Sequence, residues 1–498
     1  MTDVDDYITS VQQLGGEGSK ILRAVTAETL KNSDLVRIVS EGMRGVAVLD
    51  IPKDYHVVVH CAGGDPSLSD IRQYSESLVD RLVQQAENIG VQPVGFADVV
   101  DSATGDLDMI TTIAEALRDR SNHHKLAVLN GENAVLGPRV SVDANLTGVM
   151  ISITKNPDLL QHNITANKEN NFAGSLSGIQ YAVFDPKGMP VFINADGIGT
   201  KTEFYERRSF WGESYYFKGI MDFFAMNMDD ASKLGAACMA IAGLIERKGD
   251  IPTIGMANYA IEIAMEMGVL SIMPSELMES RISSYRPDIA AYNISGSVVS
   301  VIDEERLANP LVPIPGNILV ALQSRTPNPR SNGISKLRAA MTDYLGNEWH
   351  KEPVGKEFIG YLGTPSTVFY PVFKEMIVAG AAAAVYHMSG GAFDEKLAVP
   401  LANANLYVEL NELFRPDWRQ LALAGANLVS AYDAYGMWHM GNEAFVATSD
   451  PIAVEKIAEK HGLNSRPVGE IEQCRDQKIG VCVNTPMGHK LHYSGLEE

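Results

Sequence analysis

Two stretches of this chain, written one above the other, carry the same signals in the same order. "GVQPVGFADVVDSATGDLDMITTIAEALRDRSNHHKLAVLNGEN" (90–133) lies over "GAACMAIAGLIERKGDIPTIGMANYAIEIAMEMGVLSIMPSEL" (235–277) with one residue of slack near the start. In each, a Gly opens an apolar strand, a Gly-Asp pair opens a helix, and a second apolar strand ends on a glutamate, Glu132 or Glu276. Asp106 to Glu132 and Asp250 to Glu276 are both 26 positions apart. A polar loop and another strand around a glycine follow each glutamate, "NLTGVMISI" (145–153) and "NISGSVVSVI" (293–302). A repeat of this length makes each copy one supersecondary unit.

Upstream the match is looser. "HVVVHCAGGD" (56–65) precedes an amphipathic helical stretch, as "PVFINADGIGTK" (190–201) precedes "YFKGIMDFFAMNMDDASKLG". The pattern predicts an α/β (α+β) chain with a duplicated domain: a front copy over 1–165, a second copy over 166–310, and a separate C-terminal α/β domain over 311–498. The last begins at "PIPGNILVALQSRTPNPRSNG", and its end, 466–498, reads as a strand followed by a mobile tail.

Charge and cysteine usage exclude several classes of function. A net charge of −21 argues against wrapping nucleic acid or coating an anionic membrane, which needs clustered Lys and Arg. The acidic start "MTDVDDYITS" lacks the basic-then-apolar order of a secretory signal, and "IVAGAAAAV" (377–385) is far short of a bilayer span. A cytoplasmic location is the expectation. Cys61, Cys238, Cys474 and Cys482 are widely spaced with no C-x-x-C pair, so they read as reduced thiols, mostly buried.

The copies differ where chemistry would sit. The second carries Asp196, Gly197, Gly199, Thr200 and Lys201 directly after a strand; the front one has Gly63, Gly64, Asp65 and Pro66, with no lysine. Glycines let the backbone approach a ligand, and a hydroxyl with a cation suits phosphate oxygens. Asp196 suits Mg²⁺, which prefers one or two carboxylates beside phosphates and water. In "MNMDD" (226–230), Asn227 and Asp230 are three apart and share a helix face. Glu276 and Glu279 in "SELMES" add two carboxylates at a strand end; taken singly, Asp229, Asp230 and Glu279 read first as a solvated face.

"INADGIGTK", "AMNMDDASKLGA", "PGNILVALQSRTPNPRSNG", "TPSTVFYPVF", "YHMSGGAFDEKL" and "MWHMGNEAFVA" occur in the same order as motifs of the aminoimidazole ribonucleotide synthetase (phosphoribosylformylglycinamidine cyclo-ligase) family, which the chain resembles from about residue 170 to 470. The resemblance implies an ATP-dependent ring closure of a phosphoribosyl substrate in purine biosynthesis. Other ATP-dependent phosphorylating enzymes of that superfamily, or a non-catalytic nucleotide-binding subunit, are the rival readings. It implies that Asp196, Gly197, Gly199, Thr200, Lys201 and Asn227 meet ATP, and that Asp196, Asp230 and Glu276 hold Mg²⁺. Ser331, Asn332, Gly333, Ser389, Gly390 and Gly391 would bind substrate, and Lys201 and His387 would serve catalysis. The family's Gly pair before Glu276 is replaced by Pro274-Ser275, whereas Gly131-Glu132 keeps the family form, so Glu132 is a candidate for the same role. Because that family pairs two first domains between subunits into a β-barrel, the resemblance implies that the two copies here pair into a barrel flanked by helices, which would leave neither sheet an open edge, with the front copy standing in for the homodimer partner.

Overall fold

The computed structural model describes residues 16–496 apart from 44, 169–170, 213–214, 275–280, 285–289, 327, 332, 427–428 and 475–477. Glu276 and Asn332 therefore lie outside the described residues, as does Glu279. The chain divides into two compact units, Met1–Glu206 with Ala236–Asn309, and Arg207–Gly235 with Pro310–Glu498.

The first unit holds two sheets. Its strands are β1 (Val36–Ile38), β2 (Ala47–Leu49), β3 (His56–Gly63), β4 (Gln92–Ser102), β5 (Ala127–Val135), β6 (Ala144–Thr154), β7 (Ala166–Lys168), β8 (Asn171–Leu176), β9 (Ile179–Phe184), β10 (Val191–Gly197), β11 (Ala237–Lys248), β12 (Leu270–Ile272) and β13 (Ala291–Val301). One sheet runs β5-β4-β6-β3-β9-β8-β7 and the other β12-β11-β13-β10-β2-β1. The order β5-β4-β6-β3 thus recurs as β12-β11-β13-β10, with the outer pair parallel and the others antiparallel in both. The register runs the same way in both: Gly63 faces Thr147 of "NLTG", and Gly197 faces Ser295 of "NISG".

The remaining strands are exchanged. β2 leads into β3 along the chain but pairs with β10, Leu49 opposite Val191. β9 leads into β10 but pairs with β3, Phe184 opposite Val57. The exchanged strands carry the same signature, "AVLD" (47–50) and "AVFD" (182–185). Each repeat therefore completes the other's sheet, the arrangement that strand swapping gives between two subunits.

Alternation along the strands sets what lies between the sheets. Val149, Ile151 and Ile153 of β6, Val57, Val59 and Cys61 of β3, Ile193 and Ala195 of β10, and Val299 and Val301 of β13 share one buried cluster. The expected barrel is thus two sheets enclosing one apolar interior. Helices α1 (Ile71–Ile89) and α2 (Leu107–His124) cover the outer face of the front sheet, and their Leu78, Leu82, Ile113 and Leu117 meet Phe96, Val100 and Met150. Asp70 caps α1 through Gln73 N at 2.8 Å, and Asp106 caps α2 through Asp108 N and Met109 N. In the second repeat the helix starts at Thr253, three residues past Asp250, without a side-chain cap.

At one end the interior turns polar, and there the two repeats grip each other reciprocally. Asn145 Nδ2 donates to Glu246 at 2.5 Å, and its counterpart Asn293 donates to Asp101 at 2.7 Å. Between them Ser295 Oγ donates to Thr147 Oγ1 at 2.8 Å. Thr147 and Ser295 are equivalent residues, so a pseudo-two-fold axis passes through their bond, and the contact is isologous like that of a symmetric dimer.

The second unit is built on a seven-stranded sheet, β15-β17-β14-β18-β16-β19-β20, of β14 (Ile318–Ser324), β15 (Ala384–His387), β16 (Leu406–Leu410), β17 (Ala444–Thr448), β18 (Leu463–Gln473), β19 (Gly480–Asn484) and β20 (Lys490–Tyr493). The expected tail instead forms the last two strands of this sheet, β19 and β20, with β20 at its edge. Val481 and Val483 are fully buried, and β19 pairs in parallel with β16, which anchors the polar stretch that composition reads as loose. The helix Gly219–Ser232, in sequence part of the second repeat's region, packs within this unit.

Candidate functional site

In the first unit the Asp196–Lys201 loop leaves the end of β10 and enters the helix Lys201–Arg208. Gly199 has φ +58°, the left-handed region that favours glycine. Asp196 Oδ1 accepts from Gly197 N at 2.7 Å, a bond that turns the chain back at the strand end. Thr202 Oγ1 donates to Gly199 O at 3.1 Å, and Thr200 and Lys201 are buried. Counting from the shared register, Asp196 corresponds to Ala62 and Lys201 to Ser67 in the front repeat. Acid and cation are thus present once.

Glu132 sits on β5 in register with Val99 of β4. Beside it, both Asp98 carboxylate oxygens are buried without a hydrogen-bond partner among the described residues. Burial, with Glu132 adding charge repulsion, pushes the Asp98 carboxyl up to about 8. Spacing gave no sign of Asp98, because an acid in the middle of "VGFADVV" reads as an interruption of a strand.

In the second unit, one face of the helix Gly219–Ser232 collects three segments from farther along the chain. Asp222 Oδ1 accepts from Ser331 Oγ at 3.0 Å, Ser366 N at 2.9 Å and Ser366 Oγ at 2.6 Å. Asp229 Oδ1 accepts from the N–H groups of Phe369 and Tyr370 at 2.8 and 2.9 Å, while Oδ2 takes Arg330 Nη2 at 2.7 Å. Asp230 Oδ1 accepts from His387 Nε2 at 2.6 Å and Lys233 Nζ at 2.5 Å. The solvated-face reading of Asp229 is therefore overturned: the residue is fully buried, because its carboxylate replaces water with two backbone donors and a guanidinium. Asn227 is buried on the same helix, its Nδ2 donating to Phe223 O at 3.2 Å.

Charges in this cluster are strongly placed. Burial raises the Asp229 carboxyl to about 6, against the opposing pull of Arg330. Burial works in the same direction on Asp230, yet Lys233 and the His387 bond hold it well below the usual range. His387 is pushed down to about 4 by burial, so the imidazole is neutral at pH 7. Arg330 Nη2 lies 3.4 Å from Nδ1, which fixes that nitrogen as the acceptor and Nε2 as the N–H toward Asp230. A proton-transfer role for His387 requires one of these contacts to open.

The other residues expected to bind substrate belong to the same unit. Gly333 has φ +74°, and a Cβ there would lie 3.1 Å from the Trp438 ring, whose Nε1 donates to Gly333 O at 3.0 Å. Ser389 and Gly390 are buried after β15, and Gly391 has φ +78° where a Cβ would overlap Glu395. Arg330, Met388, Ser389, Gln420, Trp438 and His439 line a small cavity in this unit. Asp222 and Arg330 carry much of this geometry, and sequence reading passed over both. Arg330 stands immediately before the quoted Ser-Asn-Gly turn.

Among the described residues, no three His, Cys, Asp or Glu side chains gather as a metal set. Among the described residues a protein-only cage is not built; a single carboxylate such as Asp196 would need phosphate oxygens and water to complete the shell of a Mg²⁺ ion. No helix among the described residues is long and apolar enough to cross a membrane.

No family model matches the chain. It is 27% identical over 195 residues to a phosphoribosylformylglycinamidine cyclo-ligase of Streptococcus pneumoniae (strain Hungary19A-6), covering 38% of this chain and 54% of that protein. It is 25% identical over 309 residues to the cyclo-ligase of S. pneumoniae serotype 19F (strain G54), covering 58% and 83%. The chain thus spans about half the length of the first of these relatives. A solved thiamine-monophosphate kinase from Stenotrophomonas maltophilia K279a covers 66% of this chain and 94% of its own at 11% identity and a TM-score of 0.42, too partial a likeness to carry residue roles. The resemblance to the cyclo-ligases read from the ordered motifs holds over the aligned residues.

Proposed function

We propose that the chain is an ATP-dependent enzyme that phosphorylates an amide-type oxygen of a phosphoribosyl substrate, and specifically one that closes formylglycinamidine ribonucleotide to aminoimidazole ribonucleotide. The observation that carries the reading is the Asp196–Lys201 loop, present in one repeat and replaced by Ala62 to Ser67 at the equivalent position of the other. Sequence likeness to cyclo-ligases supports the substrate class.

In this reading Gly197 and Gly199 let the backbone approach the triphosphate, while the Thr200 hydroxyl and Lys201 ammonium meet its oxygens at a helix N-terminus. Asp196 would hold a Mg²⁺ ion, which would supply charge neutralisation on the transferring phosphoryl group. The γ-phosphoryl passes to the formamide oxygen, the amidine nitrogen attacks the activated carbon, and inorganic phosphate leaves as the ring forms. An amide oxygen is a poor leaving group until phosphorylated, so the protein's contribution is positioning and charge stabilisation. The front repeat takes the place of a dimer partner, a role supported by the exchanged strands and the reciprocal Asn145–Glu246 and Asn293–Asp101 bonds.

The test is ADP release by the purified chain with Mg-ATP and formylglycinamidine ribonucleotide, with the imidazole product followed in parallel. ADP and imidazole in equal amounts, both abolished by Lys201→Ala with the fold retained, are expected. Equal turnover by Lys201→Ala removes the loop from the site, and ATP binding without turnover moves the substrate elsewhere in the superfamily.

A further inference from the structure

We infer that Arg139, contributed by the front repeat, is the positioning residue that fixes the Lys201 helix of the second repeat; the inference rests on reading the Asp196–Lys201 loop as the triphosphate cradle. Arg139 follows β5 and is 2% exposed. Its Nη1 donates to Glu206 Oε2 at 3.0 Å, and Nη2 donates to Glu206 Oε1 at 2.8 Å, Thr202 Oγ1 at 2.5 Å and Tyr292 O at 3.1 Å. Thr202 directly follows Lys201, and Glu206 lies one turn farther on the same helix face. A two-turn helix is too short to hold itself in water, so tertiary anchors decide where its first residue sits. A planar guanidinium with a bidentate carboxylate sets orientation as well as distance.

The strap that carries Arg139 is itself fixed. Val140 bridges Ile282, Ser283 N donates to Arg139 O at 2.6 Å, and Ser141 N donates to Arg281 O at 2.7 Å. This bridge makes Arg139 and Arg281 mates across the pseudo-two-fold axis. Arg281 makes the mirror reach: its guanidinium donates to Ala144 O at 3.3 Å and to the Leu68 carbonyl. Ala144 is the counterpart of Tyr292, and Leu68 of Thr202. The outcomes differ, however. Arg281 lies over the Tyr74 ring at 3.6 Å and hydrogen-bonds no carboxylate among the described residues, whereas Arg139 grips Glu206. The symmetric reach became a clamp only on the side that has the lysine loop.

The pair of mates supplies its own control. In the full chain, Arg139→Met and Arg281→Met each remove one crossing arginine. Mg-ATP affinity is measured by titration calorimetry, and backbone amide exchange is followed over 198–206. Arg139→Met is expected to weaken Mg-ATP by on the order of tenfold to a hundredfold, as small misplacements of a reacting group do. It should also speed exchange in 198–206 while β6 and β13 keep their protection. Arg281→Met should change neither readout by more than about twofold, and Arg139→Lys, which keeps the charge but loses the fork, should recover part of the loss. Equal effects of the two Met variants would overturn the inference by showing a shared structural role, as would unchanged exchange over 198–206 in Arg139→Met. If the unaltered chain binds no ATP, the functional reading fails, and the exchange comparison still decides the role of Arg139. Should Arg139→Met not fold, Arg139→Lys against Arg281→Lys makes the same comparison.

Discussion

Replacing Asp229 by Ala removes three acceptor contacts at once. Arg330, 2% exposed, loses its carboxylate, and the N–H groups of Phe369 and Tyr370 lose theirs. Breaking a buried ion pair from one side costs about 3–5 kcal/mol, and each orphaned buried donor adds about 1–3 kcal/mol before relaxation. A net loss of at least about 4 kcal/mol is therefore expected, and for a unit of roughly 200 residues that lowers Tm by about 8–16 °C. The chain has two units, so a global melt is not a single two-state transition. A local probe is built in: all four tryptophans, Trp211, Trp349, Trp418 and Trp438, belong to the unit that contains Asp229. Thermal unfolding followed by tryptophan fluorescence thus isolates it. Adding Arg330→Met to Asp229→Ala should recover roughly 2 kcal/mol, because the second change removes the stranded cation. A fall in Tm below about 3 °C for Asp229→Ala, at the same scale, would refute the claim that this carboxylate organises the cluster.

Asp98→Asn should leave stability nearly unchanged at about pH 4 and raise it at pH 9. The folded pKa of Asp98 is raised to about 8 by burial, so its contribution falls as pH climbs from the ordinary carboxylate range through 8, and the neutral amide escapes that loss; parallel melts at the two pH values check it. Gly199→Ala must hold an alanine at φ +58°, at a cost of about 1–2 kcal/mol, and should weaken Mg-ATP binding more than it lowers Tm. Equal Tm and equal affinity would show that the loop does not need this turn.

The repeat was legible because its signals are local: a capping Asp106, a helix with apolar positions at helical spacing, and alternating strands around Gly148 and Gly296. The exchange of β2 and β9 was not, since strand pairing is a tertiary choice that leaves no periodicity of its own. Only the short "AVLD" and "AVFD" match marks it, and four residues are too few to weigh unaided. The Asp196–Lys201 loop stood out by its residue types. Asp222, Asp229 and Arg330 did not, because burial decides their role and an acid on a helix face reads the same wet or dry. The strands β19 and β20 were missed for a related reason: β19 is only five residues long, "GVCVN", and a polar β18 precedes it.

Strand exchange also imposes an order on synthesis. Leu49 of β2 has no sheet to join until Val191 has left the ribosome. At about 5–20 residues per second, the wait is on the order of ten seconds, longer than most elementary folding events. The front repeat's β3 likewise keeps an open edge until Phe184 arrives. A newborn chain must therefore carry an unfinished sheet through more than a quarter of its translation, and a stall between residues 160 and 180 would leave the β1–β2 hairpin without its sheet and β3 with one unprotected edge.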